Sequence, residues 1–120
     1  MFDHTGYNVS DFPRTLAFYQ AALAPLGHRA NSRGEGWAIL GCPTGRLWIG
    51  SFGPAPTHLH VALHAVSRVK VEAFHRAAVE AVGHYDGAPG LRPLYGPGYY
   101  AAFVLDPDGH NVEAAYEEVA

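Results

Sequence analysis

The chain has 120 residues, 48% of them apolar and 16% charged, with 8 basic and 11 acidic side chains and a net charge of −3. That length and apolar content suit one packed core and exclude a disordered chain, and the acidic balance leaves no basic footprint for nucleic acid or an anionic membrane. No apolar run approaches the ~20 residues of a membrane span, the opening Met1-Phe2-Asp3-His4 does not start a signal peptide, and the single Cys42 excludes a disulfide framework and a Cys-rich zinc site, so a cytoplasmic setting is expected.

Residues 2–9 alternate and carry aromatic and β-branched positions, which predicts a strand. Ser10-Asp11-Phe12-Pro13 is a helix start: a capping residue, then a proline where no backbone N–H is needed. Leu16, Tyr19, Leu23 and Leu26 recur at helical spacing as one buried stripe, and Pro25 with Gly27 ends the helix. Short strands follow near residues 28–31, 37–40 and 47–52. Pro54-Ala55-Pro56 breaks the sheet, because proline removes ladder donors. Past that join a strand is expected over 58–65, then a helix capped by Ser67 with the stripe Val71, Phe74, Ala78 and Ala81, stopped by Gly83. Strands near 84–86, 99–105 and 111–116 complete the chain.

The two halves are copies. Shifting the sequence by 56 positions lays residues 3–28 on 59–84 without a gap, with His4 on His60, Phe18 on Phe74, Ala22 on Ala78, Gly27 on Gly83 and His28 on His84. Later the shift is 64, with Pro43-Thr44-Gly45 on Pro107-Asp108-Gly109, and the Gly/Pro-rich stretch 87–98 accounts for the difference. Each copy reads strand–helix–strand–strand–strand. Units of ~50–60 residues bury too little surface to stand alone. Modules 1–53 and 57–120, joined by 54–56, are therefore expected to pack as one α+β domain, with a curved, mixed sheet around a ligand cavity.

Strand periodicity sorts the side chains. Leu59, Val61, Leu63 and Ala65 share one face; His58, His60, Ala62 and His64 share the other. On the first strand Thr5, Tyr7 and Val9 oppose His4, Gly6 and Asn8, and on the last Asn111, Glu113 and Ala115 share a face. The apolar faces belong on the helices, so the polar ones line the concavity. A histidine on a strand is more often simply hydrogen-bonded than a ligand, but His4 and His60 hold matching places in the repeat. Two imidazoles and a carboxylate, His4, His60 and Glu113, form a set that suits a divalent metal with open positions; Fe, Mn, Ni, Zn and Co all fit. The matching sets Glu113 against Ile49, so the first half offers no fourth ligand there.

These residues resemble the vicinal oxygen chelate superfamily of glyoxalases, bleomycin-resistance proteins, extradiol dioxygenases and fosfomycin-resistance enzymes. The opening His4-Thr5-Gly6-Tyr7-Asn8-Val9-Ser10-Asp11, then Phe18-Tyr19 with Leu26-Gly27, His60-Val61-Ala62-Leu63, and Phe103-Val104-Leu105-Asp106-Pro107-Asp108-Gly109-His110-Asn111-Val112-Glu113 carry the resemblance. It implies paired βαβββ modules, a homodimer, and a metal at His4, His60 and Glu113 that meets a substrate through neighbouring oxygens. The glyoxalase pattern has a fourth ligand in the fourth strand; Arg46-Leu47-Trp48-Ile49-Gly50 has none. A His-His-Glu set is closer to the dioxygenase and fosfomycin-resistance patterns. The absence of Arg or Lys after Glu113 argues against a phosphonate substrate.

Further candidates surround this set. Residues 86–98 read equally as a plain mobile loop or as a lid over the cavity in which Arg92 holds an anionic substrate group, with Tyr95 a further substrate-binding candidate. Tyr99 and Tyr100 fall on opposite faces, so one of them meets the cavity, either as aromatic packing or as a phenol that hydrogen-bonds a metal-bound oxygen or donates a proton. His58 and His64 flank His60 as acid/base or supporting groups, and Trp48 lines the cavity wall or the core. Cys42 reads as a small buried residue, and His28, His75, His84 and His110 as solvated. Two functions stay open: a metal-dependent lyase, isomerase or dioxygenase acting on a small oxygen-rich molecule, or a metal-free binder of an aromatic or drug-like ligand. The sequence leaves equally open whether the cavity lies within one chain or across two.

Overall fold

The computed structural model describes residues 1–42, 44–82 and 87–118. The order is β1 (His4–Asn8), α1 (Phe12–Leu23), a 3₁₀ turn (Ala24–Leu26), β2 (Arg29–Gly34), β3 (Trp37–Cys42), β4 (Gly45–Gly50), β5 (His60–His64), α2 (Arg68–Val82), β6 (Gly87–Leu91), β7 (Tyr99–Leu105) and β8 (Asn111–Glu117). The class is α+β. Each module supplies one four-stranded mixed sheet, β1-β4-β3-β2 and β5-β8-β7-β6, in which β1–β4 and β5–β8 are parallel and the other pairs antiparallel.

The two helices begin alike. Asp11 Oδ1 accepts the Arg14 N–H at 3.2 Å, and Ser67 Oγ accepts the Lys70 N–H at 3.2 Å, each satisfying a donor that has no partner within the helix. Gly27 closes the 3₁₀ turn at φ +89°, where a Cβ would strain the backbone.

Four local expectations change. His58 sits at φ +58°, so β5 starts only at His60. The stretch read as a loop after residue 86 opens with β6, which pairs with β7 across a register shift between Gly87 and Gly90; an edge strand tolerates Pro89. Ala81 is exposed, and the α2 stripe is Val71, Phe74 and Ala78, all fully buried. His110, read as solvated, is fully buried, while His28 and His75 are half-buried, and burial lowers the pKa of each of those two rings. The strand expected at 84–86, His84 and the Cys42 side chain lie outside the described residues.

Packing joins the modules through their helix-facing sides. Phe18, Tyr19, Ala22 and Leu23 of α1, Phe74 and Ala78 of α2, Leu40, Leu47 and Ile49 of one sheet, and Val104, Val112 and Ala114 of the other form one buried cluster. A chain of hydrogen bonds crosses it. Tyr19 Oη donates to Asp106 Oδ2 at 2.7 Å and therefore accepts from Tyr7 Oη at 2.6 Å. Asp106 Oδ1 accepts the N–H of Asp108 and of His110, both at 2.9 Å, and the His110 ring stands edge-on to Tyr7 at 5.7 Å. Ser10 bonds the Asp108 carboxylate through both its N–H, at 3.1 Å, and its hydroxyl. Burial pushes the Tyr7 and Tyr19 phenols well above their ordinary range, so both remain neutral donors.

This chain makes an ordered prediction for stability. Tyr19→Phe strands both the Asp106 carboxylate and the Tyr7 hydroxyl and should cost about 2–3 kcal/mol. Tyr7→Phe removes only a terminal donor and should cost about 1 kcal/mol. Urea unfolding of the two variants measures the order, and a Tyr7→Phe loss equal to or above that of Tyr19→Phe contradicts it.

Candidate functional site

The sheet faces opposite the helices carry the chemistry. In the second module Ala62, Glu113 and Phe103 form one row across β5, β8 and β7. Glu113 is only 3% exposed, so its carboxylate needs partners. His60, one row away, puts Nε2 3.0 Å from Glu113 Oε1, and Tyr99 Oη donates to Oε2 at 2.5 Å. The His60 ring stacks on Phe103 at 6.3 Å, and the Arg92 guanidinium lies over the same phenyl ring at 5.3 Å, tied to Ala88 O at 2.7 Å. Tyr95 meets Tyr99 edge-on at 5.5 Å. His64 lines a recess of about 310 Å³ with Tyr99, Ala115 and Glu117. His60, Glu113, Tyr99, Tyr95, Arg92 and His64 thus share one face.

The first module presents a second face. Gly6, Trp48 and Ile39 form the row equivalent to Ala62, Glu113 and Phe103. The structural counterpart of Glu113 is therefore Trp48, not Ile49, which is fully buried toward the helices. The register is displaced because Cys42 and Gly45 pair with two residues between them, whereas Asp106 and His110 are bonded across three. The indole lies flat over glycine; a Cβ on Gly50 would sit 2.3 Å from its Cη2. Trp48 stacks on Phe52 at 6.0 Å and lines a hollow of about 620 Å³ with His4, Arg46, Asp3 and Ile39. His4 Nδ1 donates to Asp3 Oδ1 at 2.8 Å, and Arg46 Nη2 grips both Asp3 oxygens at 3.0 and 3.1 Å. The His4 hydrogen bond, followed by that of Arg46, holds the Asp3 carboxyl below its usual range.

The three ligand candidates therefore do not meet within one chain: among the described residues no three His, Cys, Asp or Glu side chains group as a metal site. His60 and Glu113 stand together and His4 stands on the other sheet. His58 precedes β5 in the left-handed region. Tyr100 faces α2, donating to Glu72 Oε2 at 2.7 Å beneath the Arg68 guanidinium, so Tyr99 is the tyrosine of the pair that faces the site. Sequence reasoning passed over Asp3 and Phe103. Asp3 was legible as the carboxylate beside His4, and Phe103 as the residue two alternations beyond Tyr99 on the same strand face.

The pair His60–Glu113 fits a metal in donor type and spacing. Two ligands ~2.1 Å from one ion and at a right angle to each other stand about 3 Å apart, the separation of His60 Nε2 and Glu113 Oε1. On the other sheet Asp3 occupies Nδ1 of His4 and leaves Nε2 as the donor, the arrangement that orients a metal-binding imidazole.

Burial, then the hydrogen bond to Glu113 and its charge, push the Tyr99 phenol from 10.0 to about 12. A phenol whose folded pKa is raised keeps its stabilising proton below the unfolded value and loses it as pH rises toward the folded one. Stability should thus fall between about pH 10 and 12, and a phenolate absorbance step near pH 12 should vanish in Tyr99→Phe. Glu113→Gln should move that step to lower pH. A Tyr99 step at pH 10 contradicts the assignment.

Residues 1–114 match the family described as Glyoxalase/Bleomycin resistance protein/Dioxygenase superfamily. A glyoxalase/bleomycin resistance protein from Albidiferax ferrireducens T118 superposes with a TM-score of 0.84 at 28% identity, over 97% of this chain and 98% of that one. A glyoxalase-related enzyme from Fulvimarina pelagi (TM-score 0.75, 19% identity, 98% and 88% covered) and a lactoylglutathione lyase from Agrobacterium tumefaciens (0.69, 18%, 97% and 92%) share the fold. No curated protein sequence matches. With its paired βαβββ modules and a family match that runs through Glu113, the chain belongs to the glyoxalase/bleomycin resistance protein/dioxygenase superfamily.

Proposed function

We propose that the protein is a metal-dependent enzyme of the glyoxalase or dioxygenase type, acting on a small substrate that chelates through adjacent oxygens, with each site built from two copies of the chain. The observation that carries this reading is the divided ligand set. His60 and Glu113 are 3.0 Å apart on one sheet, and His4, backed by Asp3, stands on the other. A homodimer that sets the first-module face of one copy against the second-module face of its partner completes three ligands, and closed two-fold symmetry makes two such sites. A divalent cation bound there supplies Lewis acidity toward two substrate oxygens.

The protein's own groups then divide the work. Tyr99 orients the Glu113 carboxylate and holds a proton at Oη. His64, in the recess beside Tyr99, moves a proton to or from the substrate. Arg92, pinned over Phe103, receives an anionic group, with Tyr95 at the rim. Trp48, in place of a fourth ligand, supplies an aromatic wall. The single cysteine suits a cytoplasmic setting. No helix of the described residues is long and apolar enough to cross a membrane.

A second reading, metal-free capture of an aromatic ligand, is favoured by the Trp48–Phe52 stack in the open hollow of about 620 Å³. Metal analysis of protein purified without chelator separates the two. The enzyme reading predicts about one equivalent of Fe, Mn, Ni, Zn or Co per chain, lost in both His4→Ala and His60→Ala. Below about a tenth of an equivalent, with no gain on reconstitution, the second reading stands. Full metal in both variants removes the ligand assignment. A sedimentation mass of one chain at micromolar concentration contradicts the dimer.

A further inference from the structure

The two imidazoles of the proposed site are oriented by different means. His4 is held through its side chain, because Asp3, the residue before it, bonds Nδ1 at 2.8 Å. The residue before His60 is Leu59, which has no side-chain acceptor, so the placement of His60 depends on its backbone.

Strand β5 pairs in parallel with β8. His60 lies opposite Asn111, which sets Leu59 opposite His110. In a parallel ladder a residue so placed accepts the N–H of the residue after its opposite number and donates its own N–H to the carbonyl of the residue before it. The first bond forms, with the Asn111 N–H reaching Leu59 O at 3.0 Å. The second partner has left the ladder: Gly109 sits at φ +84° with its N–H turned back to Asp106 O at 2.8 Å. The His110 ring takes that place, and its Nδ1 accepts the Leu59 N–H at 3.3 Å. Packing fixes the ring. It is fully buried, stands edge-on to Tyr7 at 5.7 Å, and its own backbone N–H is bonded to Asp106 Oδ1 at 2.9 Å. An Nδ1 that accepts puts the ring proton on Nε2. In the first module the Arg46 N–H reaches Asp3 O at 3.2 Å in the same way, but the residue opposite Asp3 is Gly45, which has no ring to offer.

We propose that His110 is a positioning residue for the His60–Glu113 pair. Its ring, seated in the seam between the modules, fixes the start of β5 against β8 and so holds His60 Nε2 3.0 Å from Glu113 Oε1. Where it concerns a metal the assignment rests on the proposed function; where it concerns His60 it rests on strand geometry alone.

Three substitutions separate the acceptor from the bulk of the ring. Asparagine puts its Oδ1 where Nδ1 stands, glutamine carries its oxygen to the far side of the ring, and leucine has no acceptor. In metal-free protein, NMR should show the Nε2–H tautomer of His110, a protected Leu59 amide, and contacts between the His60 and Phe103 rings. In His110→Leu and His110→Gln the Leu59 amide should exchange about tenfold faster or more, and the His60–Phe103 contacts should weaken. His110→Asn should restore both. Titration with Co²⁺ should follow the same order, about tenfold weaker or more for leucine and glutamine and within about threefold of wild type for asparagine. Tyr7→Phe, which loosens the same seam but keeps the acceptor, should bind Co²⁺ like the wild type. An Nδ1–H tautomer or an unprotected Leu59 amide in the wild type overturns the proposal without any variant. So do folded leucine and glutamine variants that keep Leu59 protection and the His60–Phe103 contacts, an asparagine variant as impaired as leucine, or an equal loss in Tyr7→Phe. A wild type that binds no Co²⁺ removes the metal reading and leaves the metal-free measurements to decide the role of His110; equal Co²⁺ binding by all variants removes that role and leaves the metal reading.

Discussion

Tyr19 holds the architecture together by donating one buried hydrogen bond across the boundary between the modules. Its partner, Asp106, sits in the turn between β7 and β8, and the same carboxylate organises that turn through two backbone N–H groups. A carboxylate 3% exposed needs those donors to remain buried, so the turn, α1 and β1 are fixed together. The modules consequently meet helix side to helix side, around one apolar cluster. The opposite faces of both sheets stay open. That constraint leaves His4 on one open face and the His60–Glu113 pair on the other.

Much of this organisation is visible in the amino-acid pattern, for a physical reason. Duplication doubles each signal: a capped helix start, a buried stripe and a glycine stop at one shift reinforce each other in a way that a lone motif does not. Tyr7 and Leu63 took the helix side, and His4 and His60 the open side, as two-residue periodicity requires. The register of β4 was harder. A turn that differs by one residue between the copies moves every subsequent residue to its neighbour's place, and Trp48, not Ile49, became the counterpart of Glu113. His110 was misread because its burial depends on the Tyr7 ring and on the Leu59 N–H that its Nδ1 accepts at 3.3 Å, partners 103 and 51 positions away along the chain. The strand at β6 was hidden by its composition. Gly-Ala-Pro-Gly-Leu has turn chemistry, and only pairing with β7 extends it.

The two open faces differ in ways that suit a division of labour. One carries a buried carboxylate held by an imidazole and a phenol; the other carries an imidazole oriented by an aspartate beside a broad aromatic surface. Among the described residues neither face groups three His, Cys, Asp or Glu side chains. Under the proposed function, two-fold symmetry would bring the two faces together so that each supplies what the other lacks.

The most direct test of that account mixes two inactive variants. His4→Ala and His60→Ala each damage every site of their own homodimer. When the two are unfolded together and refolded, half of the dimers should be mixed, and each mixed dimer should hold one intact site. Metal binding should then recover to about a quarter of the wild-type level. Recovery to that level places His4 and His60 of one site on different copies of the chain; no recovery above the two separate variants, in dimers shown to have exchanged, contradicts the divided site.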